Sequence, residues 1–138
     1  MEYKGACLCG AVKFSAKTMS NKVGACHCGM CRKWTGGPFL AVDCGTEVAF
    51  TGSDAISRYA SSEWAERAFC KQCGSHLFYF LKEKNQFIIS AGLFDEPIDL
   101  IFDHQIFIDK KPDFYSFSNP THNMTEAEVF AFYEEAPK

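Results

Sequence analysis

The sequence predicts an all-β domain of many short strands, arranged in several short antiparallel sheets, with one helix near the C-terminus. Three observations support this prediction. Short segments rich in β-branched and aromatic residues recur along the chain. Glycine, aspartate, asparagine and serine separate these segments, as turn residues do between strands. A helical pattern of apolar residues is clear only near the end.

The predicted strands follow one another at short intervals. Val12 and Phe14 alternate with more polar neighbours and mark the first strand. The later strands are predicted at residues 39–44, 47–51, 56–60, 76–81, 87–91 and 98–108. The helix is predicted from a capping box formed by Thr125 and Glu128, and its apolar residues continue to about Glu135. A short helical turn after Cys31, ending before Pro38, is also compatible with the sequence.

Length and composition favour one compact domain over residues 1–138. Hydrophobic residues make up 47% of the chain, and fourteen of them are phenylalanine, so we expect a core built largely from aromatic rings. The formal net charge is −3, and the sequence contains no run of lysine and arginine. A nucleic-acid partner is therefore not expected, because binding a phosphate backbone requires clustered basic residues.

Whether the eight cysteines are metal ligands or form disulfides depends on the cellular compartment of the protein. The chain opens on polar residues, and no apolar run approaches the roughly 18 residues of a membrane span. We therefore expect a cytoplasmic protein with no membrane partner. In that reducing compartment, clustered cysteines indicate metal ligands more often than disulfides.

Two short cysteine pairs predict a closed zinc site. Structural zinc is held by four ligands in a tetrahedron, and two such pairs supply all four. The site is predicted to have a structural role, because no position is left for a substrate. Its ligands are Cys7, Cys9, Cys70 and Cys73.

A central cluster of three cysteines predicts a second, open zinc site, so we expect two zinc ions per chain. Cys26, Cys28 and Cys31 supply three ligands, and three protein ligands with a free position are typical of catalytic zinc. Two residues could instead close the site: His27, within the cluster, or Cys44, which follows it. A redox role for the Cys28–Cys31 pair is disfavoured, because no thioredoxin-like βαβ pattern surrounds it.

At these cysteines the sequence resembles the glutathione-dependent formaldehyde-activating (Gfa) family. The resemblance covers nearly the whole chain, in order. It rests on Gly5-x-Cys7-x-Cys9-Gly10-x-Val12-x-Phe14, Cys26-His27-Cys28-x-x-Cys31-Arg32-Lys33-x-Thr35-Gly36, Phe69-Cys70-x-x-Cys73-Gly74-Ser75, Gly92-Leu93-Phe94-Asp95-x-Pro97 and His104-x-Ile106-Phe107. Phe107 and Phe114 stand where members of the family often carry tryptophan.

The resemblance implies an Mss4-like fold, described as a β-tent, with two zinc ions. Carried over position by position, the outer four cysteines match the structural ligands and the central three match the catalytic ligands. It also implies a carbon–sulfur lyase that acts on the adduct of glutathione, or another small thiol, with a carbonyl compound such as formaldehyde. The alternative is a non-enzymatic binding module of the same fold, in which zinc serves folding alone.

An open site with three thiolates suits a thiol substrate, because such a zinc ion is a weak Lewis acid but binds a further thiolate well. For glutathione, basic side chains near the cluster would meet its carboxylates. We predict Arg32 and Lys33 in this role, with Arg58, Arg67 and Lys71 as further candidates. His104 lies on a predicted strand and is predicted to bind substrate or to transfer protons.

Overall fold

The computed structural model describes residues 2–95 and 99–135. Within them the chain is mostly β-sheet, and the predicted all-β class with a C-terminal helix is confirmed. The strands are β1 Tyr3–Ala6, β2 Lys13–Ala16, β3 Lys22–Cys26, β4 Phe39–Asp43, β5 Val48–Thr51, β6 Ile56–Tyr59, β7 Ala65–Cys70, β8 His76–Leu81, β9 Gln86–Ser90, β10 Ile101–Ile106 and β11 His122–Met124. The helices are α1 Gly29–Thr35 and α2 Glu126–Glu135.

The chain forms two compact units. The first contains residues Met1–Asn21 and Ala41–Asp99, and the second contains Lys22–Leu40 and Leu100–Lys138. Each unit therefore combines two separate stretches of sequence. The single-domain organisation expected for residues 1–138 stays a prediction. Neither of the described helices has the length and apolar composition that crossing a bilayer requires.

The first unit is antiparallel throughout its paired strands, as predicted. β2 pairs with β1 on one side and with β5 on the other. β9 pairs with residues 41–43 of β4 and with β8, and the ladder continues through β7 to β6. The consecutive strands among them, β1 to β2 and β6 through β9, are joined by short connections, as neighbouring antiparallel strands commonly are.

The core of the first unit is aromatic, as its phenylalanine content suggests. The rings of Phe78 and Phe87 lie 5.1 Å apart between centroids, and Phe50 packs against Phe78 at 5.2 Å. Phe14 adds an edge-on contact with Phe94 at 5.3 Å. Because Phe14 and Phe50 lie on β2 and β5 while Phe78 and Phe87 lie on β8 and β9, this cluster joins the two sheets of the unit.

The second unit differs from the antiparallel expectation in one respect. β10 pairs in parallel with both β3 and β11. Parallel neighbours need long connections, and the chain supplies them: β3 and β10 come from the two separate sequence stretches of this unit. Short strands such as β3 and β11 carry a weak sequence signal, so these pairings were not predictable from alternation alone.

Both helices begin at caps that the sequence contains. The backbone N–H of Glu128 donates to the Thr125 hydroxyl at 3.2 Å, and the N–H of Thr125 donates to the Glu128 carboxylate at 2.9 Å. The predicted capping box is thus present at the start of α2. The weaker helical turn expected after Cys31 is also found, but α1 begins earlier, at Gly29. The start of the strand predicted at residues 98–108 falls on Ile98, outside the described residues, and β10 begins at Ile101.

Candidate functional site

The first cysteine pair lies on a tight turn after β1. The backbone N–H of Gly10 donates to the carbonyl of Cys7 at 3.1 Å, and the N–H of Cys7 donates to the carbonyl of Val12 at 3.0 Å. Gly10 has a φ of 81°, a value that favours glycine. This turn holds Cys7 and Cys9 with their sulfur atoms 3.7 Å apart.

The second pair lies on a similar turn at the end of β7. The N–H of Gly74 donates to the carbonyl of Cys70 at 2.8 Å, and Gly74 has a φ of 78°. The hydroxyl of Ser75 connects the two turns: it accepts from the N–H of Leu8 at 3.0 Å and lies 3.2 Å from the sulfur of Cys73. The four-cysteine cluster is therefore built from two matching turns tied together by one serine.

The four sulfur atoms have the spacing that a tetrahedral zinc ion requires. The Sγ atoms of Cys7, Cys9, Cys70 and Cys73 all lie within 4.8 Å of one another. The sulfur of Cys9 lies 3.7 Å from that of Cys7 and 3.8 Å from that of Cys70. Zn–S bonds of about 2.3 Å in a tetrahedron give S···S distances of about 3.8 Å, so this donor set fits the metal.

Hydrogen bonds to Cys7 and Cys73 favour their thiolate forms. The N–H of Val12 donates to the sulfur of Cys7 at 3.3 Å. Hydrogen bonds from the side chain and backbone of Ser75 lower the pKa of Cys73 to about 5. Metal ligands must be deprotonated, so donors aimed at sulfur support the cluster as a metal site.

The central three cysteines come together at the junction of β3 and α1. Cys26 ends β3, Cys28 is the N-cap of α1, and Cys31 is buried in the first turn of the helix. Their Sγ atoms lie within 4.8 Å of one another. The backbone N–H of Cys31 donates to the sulfur of Cys28 at 3.3 Å, so the helix cap itself positions the Cys28 sulfur.

The thiol of Cys26 resists ionisation because the other two sulfurs lie so close to it. The pKa of Cys26 is raised, chiefly by hydrogen bonding to the sulfurs of Cys28 and Cys31 and further by burial. A divalent cation among the three sulfurs would reverse this effect, because it would favour the thiolate form of each. This three-cysteine cluster could therefore hold a metal ion.

His27 does not contribute a ligand to the three-cysteine cluster. Its side chain is fully buried, and its Nε2 lies 2.8 Å from Oε1 of Gln105. Its Nδ1 lies 2.9 Å from the hydroxyl of Tyr115. Both ring nitrogens are thus occupied by protein partners. Burial also lowers the pKa of His27, which favours the neutral imidazole.

Cys44 lies outside both clusters. It belongs to the first unit and is fully buried at the end of β4, with its backbone N–H donating to the carbonyl of Phe87 at 2.9 Å. Burial raises the pKa of its thiol to about 12. Cys44 is therefore a small apolar core residue, which is the common role of a lone buried cysteine.

A groove of about 310 Å³ runs along α1, the helix that carries Cys31. Arg32 and Lys33 line it, as does Gly29, the residue next to Cys28. Pro112 and the largely exposed ring of Phe114 form its apolar part. Among the described residues, no carboxylate forms an ion pair with Arg32 or Lys33. The structure thus places two of the three predicted substrate-binding residues in one cationic groove.

His104, the third predicted residue, is not part of the groove lining. Its Nδ1 lies 2.5 Å from a carboxylate oxygen of Asp103, and its ring rests against Gly24 on β3. Because side chains alternate along a strand, Gly24 and Cys26 face the same side of β3. His104 therefore shares a sheet face with Cys26.

The other basic candidates lie in the first unit, and the two arginines among them have structural contacts. Arg58 pairs with Glu66 at 3.2 Å and stacks on Phe78 at 5.0 Å. Arg67 is buried and lies over the ring of Tyr79 at 5.0 Å. Lys71 is exposed in the turn after β7. None of them lines the groove along α1.

Sequence reasoning missed residues that the fold brings to the site from far along the chain. Gln105 and Tyr115 contact His27 across 78 and 88 residues of sequence. No local motif indicates either contact. The aromatic run around Phe114, with Pro112 before it, was the only available signal for the apolar part of the groove.

Comparison with known proteins gives three findings. The family model for the glutathione-dependent formaldehyde-activating enzyme matches residues 2–110. An uncharacterized lyase of Schizosaccharomyces pombe is 41% identical over 129 residues, covering 93% of this chain and 94% of the relative. The crystal structure of a Rhodobacter sphaeroides protein is similar with a TM-score of 0.59 at 20% identity, covering 69% of this chain and 90% of that one. The last likeness shows the fold alone.

Proposed function

The chain belongs to the glutathione-dependent formaldehyde-activating enzyme family, and on this basis we propose that it makes or breaks a carbon–sulfur bond with the help of zinc. Its substrates would be glutathione, or another small thiol, and a small carbonyl compound such as formaldehyde. One observation supports this proposal above all: the three-cysteine cluster shares helix α1 with a groove lined by two cations. The lyase name of the yeast relative agrees with the reaction class.

The two cysteine clusters differ in the number of metal ligands that they supply, and this difference indicates their roles. Cys7, Cys9, Cys70 and Cys73 would hold a structural zinc ion, because four thiolates complete its tetrahedron. Cys26, Cys28 and Cys31 would hold a second zinc ion. When bound there, zinc supplies a position at which a substrate thiol is stabilised as its thiolate at neutral pH.

Arg32 and Lys33 would bind the carboxylates of the thiol substrate. Nε of Arg32 donates to the carbonyl of His27 at 3.2 Å, which anchors the guanidinium of a residue that lines the groove. Pro112 and Phe114 offer apolar contact to the methylene groups of the ligand. A cavity of about 310 Å³ is at the lower end of the ~300–1,000 Å³ typical of small-molecule sites.

The overall reaction is a balanced addition. The thiol sulfur forms a bond to the carbonyl carbon, the π electrons of the carbonyl move to oxygen, and the proton lost by the thiol ends on that oxygen. The reverse reaction breaks the carbon–sulfur bond and returns the proton to sulfur. Since the groove is open, we assign the proton exchange to solvent. The protein's own part is to hold the thiol and its carboxylates in one orientation.

Binding can be tested with two ligands that differ only at sulfur. Glutathione should change the zinc-edge X-ray absorption spectrum from three sulfurs toward four at the second site, whereas S-methylglutathione should bind in the groove without that change. Arg32→Ala and Lys33→Ala should each weaken both ligands by about three-fold, the size of an exposed ion pair. Lys17→Ala is the matched control, because Lys17 is an exposed lysine of the first unit that pairs with Glu47.

Catalysis can be tested by exchange spectroscopy with ¹³C-labelled formaldehyde, which separates the catalysed rate from the spontaneous one. We expect the zinc-loaded protein to raise the exchange rate between formaldehyde and its glutathione adduct, and Cys28→Ser to abolish the increase. An unchanged absorption spectrum at millimolar glutathione, with zinc bound to the three cysteines, would contradict the proposal. A metal-loaded protein that binds glutathione without raising the rate would point instead to a binding module.

A further inference from the structure

His27 is the centre of a hydrogen-bond arrangement in the segment that carries Cys26 and Cys28. It lies between Cys26 and Cys28 in sequence, and all four of its polar groups are used. Its backbone N–H donates to the carbonyl of Ile106 at 3.1 Å, and its carbonyl accepts from Nε of Arg32 at 3.2 Å. The ring nitrogens contact Gln105 and Tyr115. The segment that carries the cysteines is therefore fastened to β10, to α1 and to the chain around residue 115.

The neighbours of His27 determine which ring nitrogen carries the proton. The side-chain amide of Gln105 donates to the hydroxyl of Thr121 at 2.9 Å, so its oxygen faces His27. That oxygen can only accept, and Nε2 of His27 must therefore be the donor. Nδ1 is then unprotonated and accepts from the hydroxyl of Tyr115 at 2.9 Å. The order of donors runs in one direction from Tyr115 through His27 to Gln105 and Thr121.

Tyr115 also belongs to the loop that forms the apolar part of the groove. Its ring lies 5.2 Å from that of Phe114 and 5.7 Å from that of Phe117. The ammonium group of Lys111 donates to the carbonyls of Pro112 and Tyr115 and lies 4.8 Å from the centre of the Tyr115 ring. Because Phe114 itself is largely exposed, the contacts of its neighbours hold it at the groove.

We infer that Tyr115 is a positioning residue: by donating to Nδ1 of His27, its hydroxyl couples the loop that carries Phe114 to the segment that carries Cys26 and Cys28. The role in substrate binding rests on the proposed function, whereas the role in holding the three-cysteine cluster does not. Tyr115 is not itself one of the residues that line the groove, and its hydroxyl is bonded to His27. It acts through His27 on one side and through Phe114 on the other.

The test uses Tyr115→Phe, which keeps the ring and removes the hydroxyl alone. Tyr59→Phe is the matched control, since Tyr59 is 66% exposed on β6 of the first unit. In the zinc-loaded protein, long-range ¹H–¹⁵N spectra should show His27 as the Nε2–H tautomer, with its Nδ1 resonance moved toward that of a free acceptor in Tyr115→Phe. A different tautomer in the wild-type protein would overturn the inference.

Two further measurements separate positioning from simple stabilisation. Loss of one buried hydrogen bond corresponds to about a five-fold change in an equilibrium. We therefore expect Tyr115→Phe to release metal from the three-cysteine cluster to a chelator about five-fold faster, with the four-cysteine cluster unaffected. We also expect about five-fold weaker S-methylglutathione binding. If the rate of metal release and the affinity for S-methylglutathione both keep their wild-type values in Tyr115→Phe while only the melting temperature falls, Tyr115 is a structural residue. The inference is then overturned.

The outcomes also distinguish this inference from the proposed function. If S-methylglutathione binds neither the wild-type protein nor Tyr115→Phe, the glutathione proposal loses its support. The metal-release comparison then decides the inference alone: faster release only in Tyr115→Phe supports it, and equal release in Tyr115→Phe and Tyr59→Phe contradicts it.

Discussion

The imidazole of His104 lies against the Cα of Gly24, its register partner on the neighbouring parallel strand. A Cβ atom at position 24 would come within 2.0 Å of Nε2 of His104 and within 2.6 Å of two ring carbons. The contact explains why glycine occurs inside β3, where it otherwise weakens a strand. It also fixes the ring on the face of β3 that carries Cys26.

Gly24→Ala is accordingly expected to destabilise the protein by about 2 kcal/mol, the usual cost of overpacking a closely fitted site. Denaturant unfolding measures the change. In the double variant Gly24→Ala/His104→Ala the clash is removed, so the two substitutions should be strongly non-additive. Additive effects would show that His104 does not restrict position 24.

Cys70→Ser is expected to prevent folding. Structural zinc sites contribute about 10–16 kcal/mol of apparent binding free energy, which exceeds the net stability of most domains. Metal analysis and circular dichroism of the purified protein test this. Cys44→Ser is the matched control: it changes a buried cysteine outside both clusters, so it should lower stability but keep two metal ions per chain. A folded Cys70→Ser protein with an unchanged melting temperature would contradict a structural role for the four-cysteine cluster.

Cys28→Ser should lose one metal ion and remain folded. Cys28 is the N-cap of α1, and serine caps a helix at least as well, so the substitution preserves the cap while removing a sulfur ligand. Metal analysis should fall from two ions to one, with little change in the circular dichroism spectrum. Global unfolding would reverse the division of roles between the two clusters. In the wild-type protein, a metal ion with three protein ligands should be held less tightly than one with four. Chelators should therefore remove the metal of the three-cysteine cluster first.

The capping box of α2 should make this helix sensitive to acid. Hydrogen bonds from the backbone and side chain of Thr125 lower the pKa of Glu128 below its usual value of 4.5. A depressed pKa in the folded state stabilises the protein above the unfolded value, and this stabilisation is lost as pH falls through the folded value. The protection of the α2 amides against hydrogen exchange, taken relative to the intrinsic exchange rate at each pH, should therefore fall below about pH 4.5.

Glu128→Gln isolates this effect, because glutamine can accept the same hydrogen bond without titrating. The difference in α2 exchange between the wild-type protein and Glu128→Gln should change with pH only below about 4.5. Both proteins lose metal in acid, and this effect cancels when one is compared with the other at the same pH. A difference that is constant across the whole acidic range would exclude the Glu128 carboxylate as its source.

Elements with local signals could be predicted from the amino-acid sequence. Alternation and turn residues located most strands of the first unit within one or two residues, and His76–Leu81 has the predicted bounds. Thr125 and Glu128 located the start of α2, because a capping box is formed within four residues of chain. The cysteine spacings identified the two outer pairs and the central three, because the members of each group lie on one turn or helix cap formed by neighbouring residues.

The way in which distant segments meet depends on the folded chain. The parallel pairing of β10 with β3 and β11, and the contact of His104 with Gly24, depend on long-range register that no local pattern encodes. The role of His27 was open in the sequence, since a histidine between two cysteines could ligate or turn away. Its ring turns away because Gln105 and Tyr115, some eighty residues later, satisfy both nitrogens in a buried site. Burial demands such partners, and the fold alone determines which residues supply them.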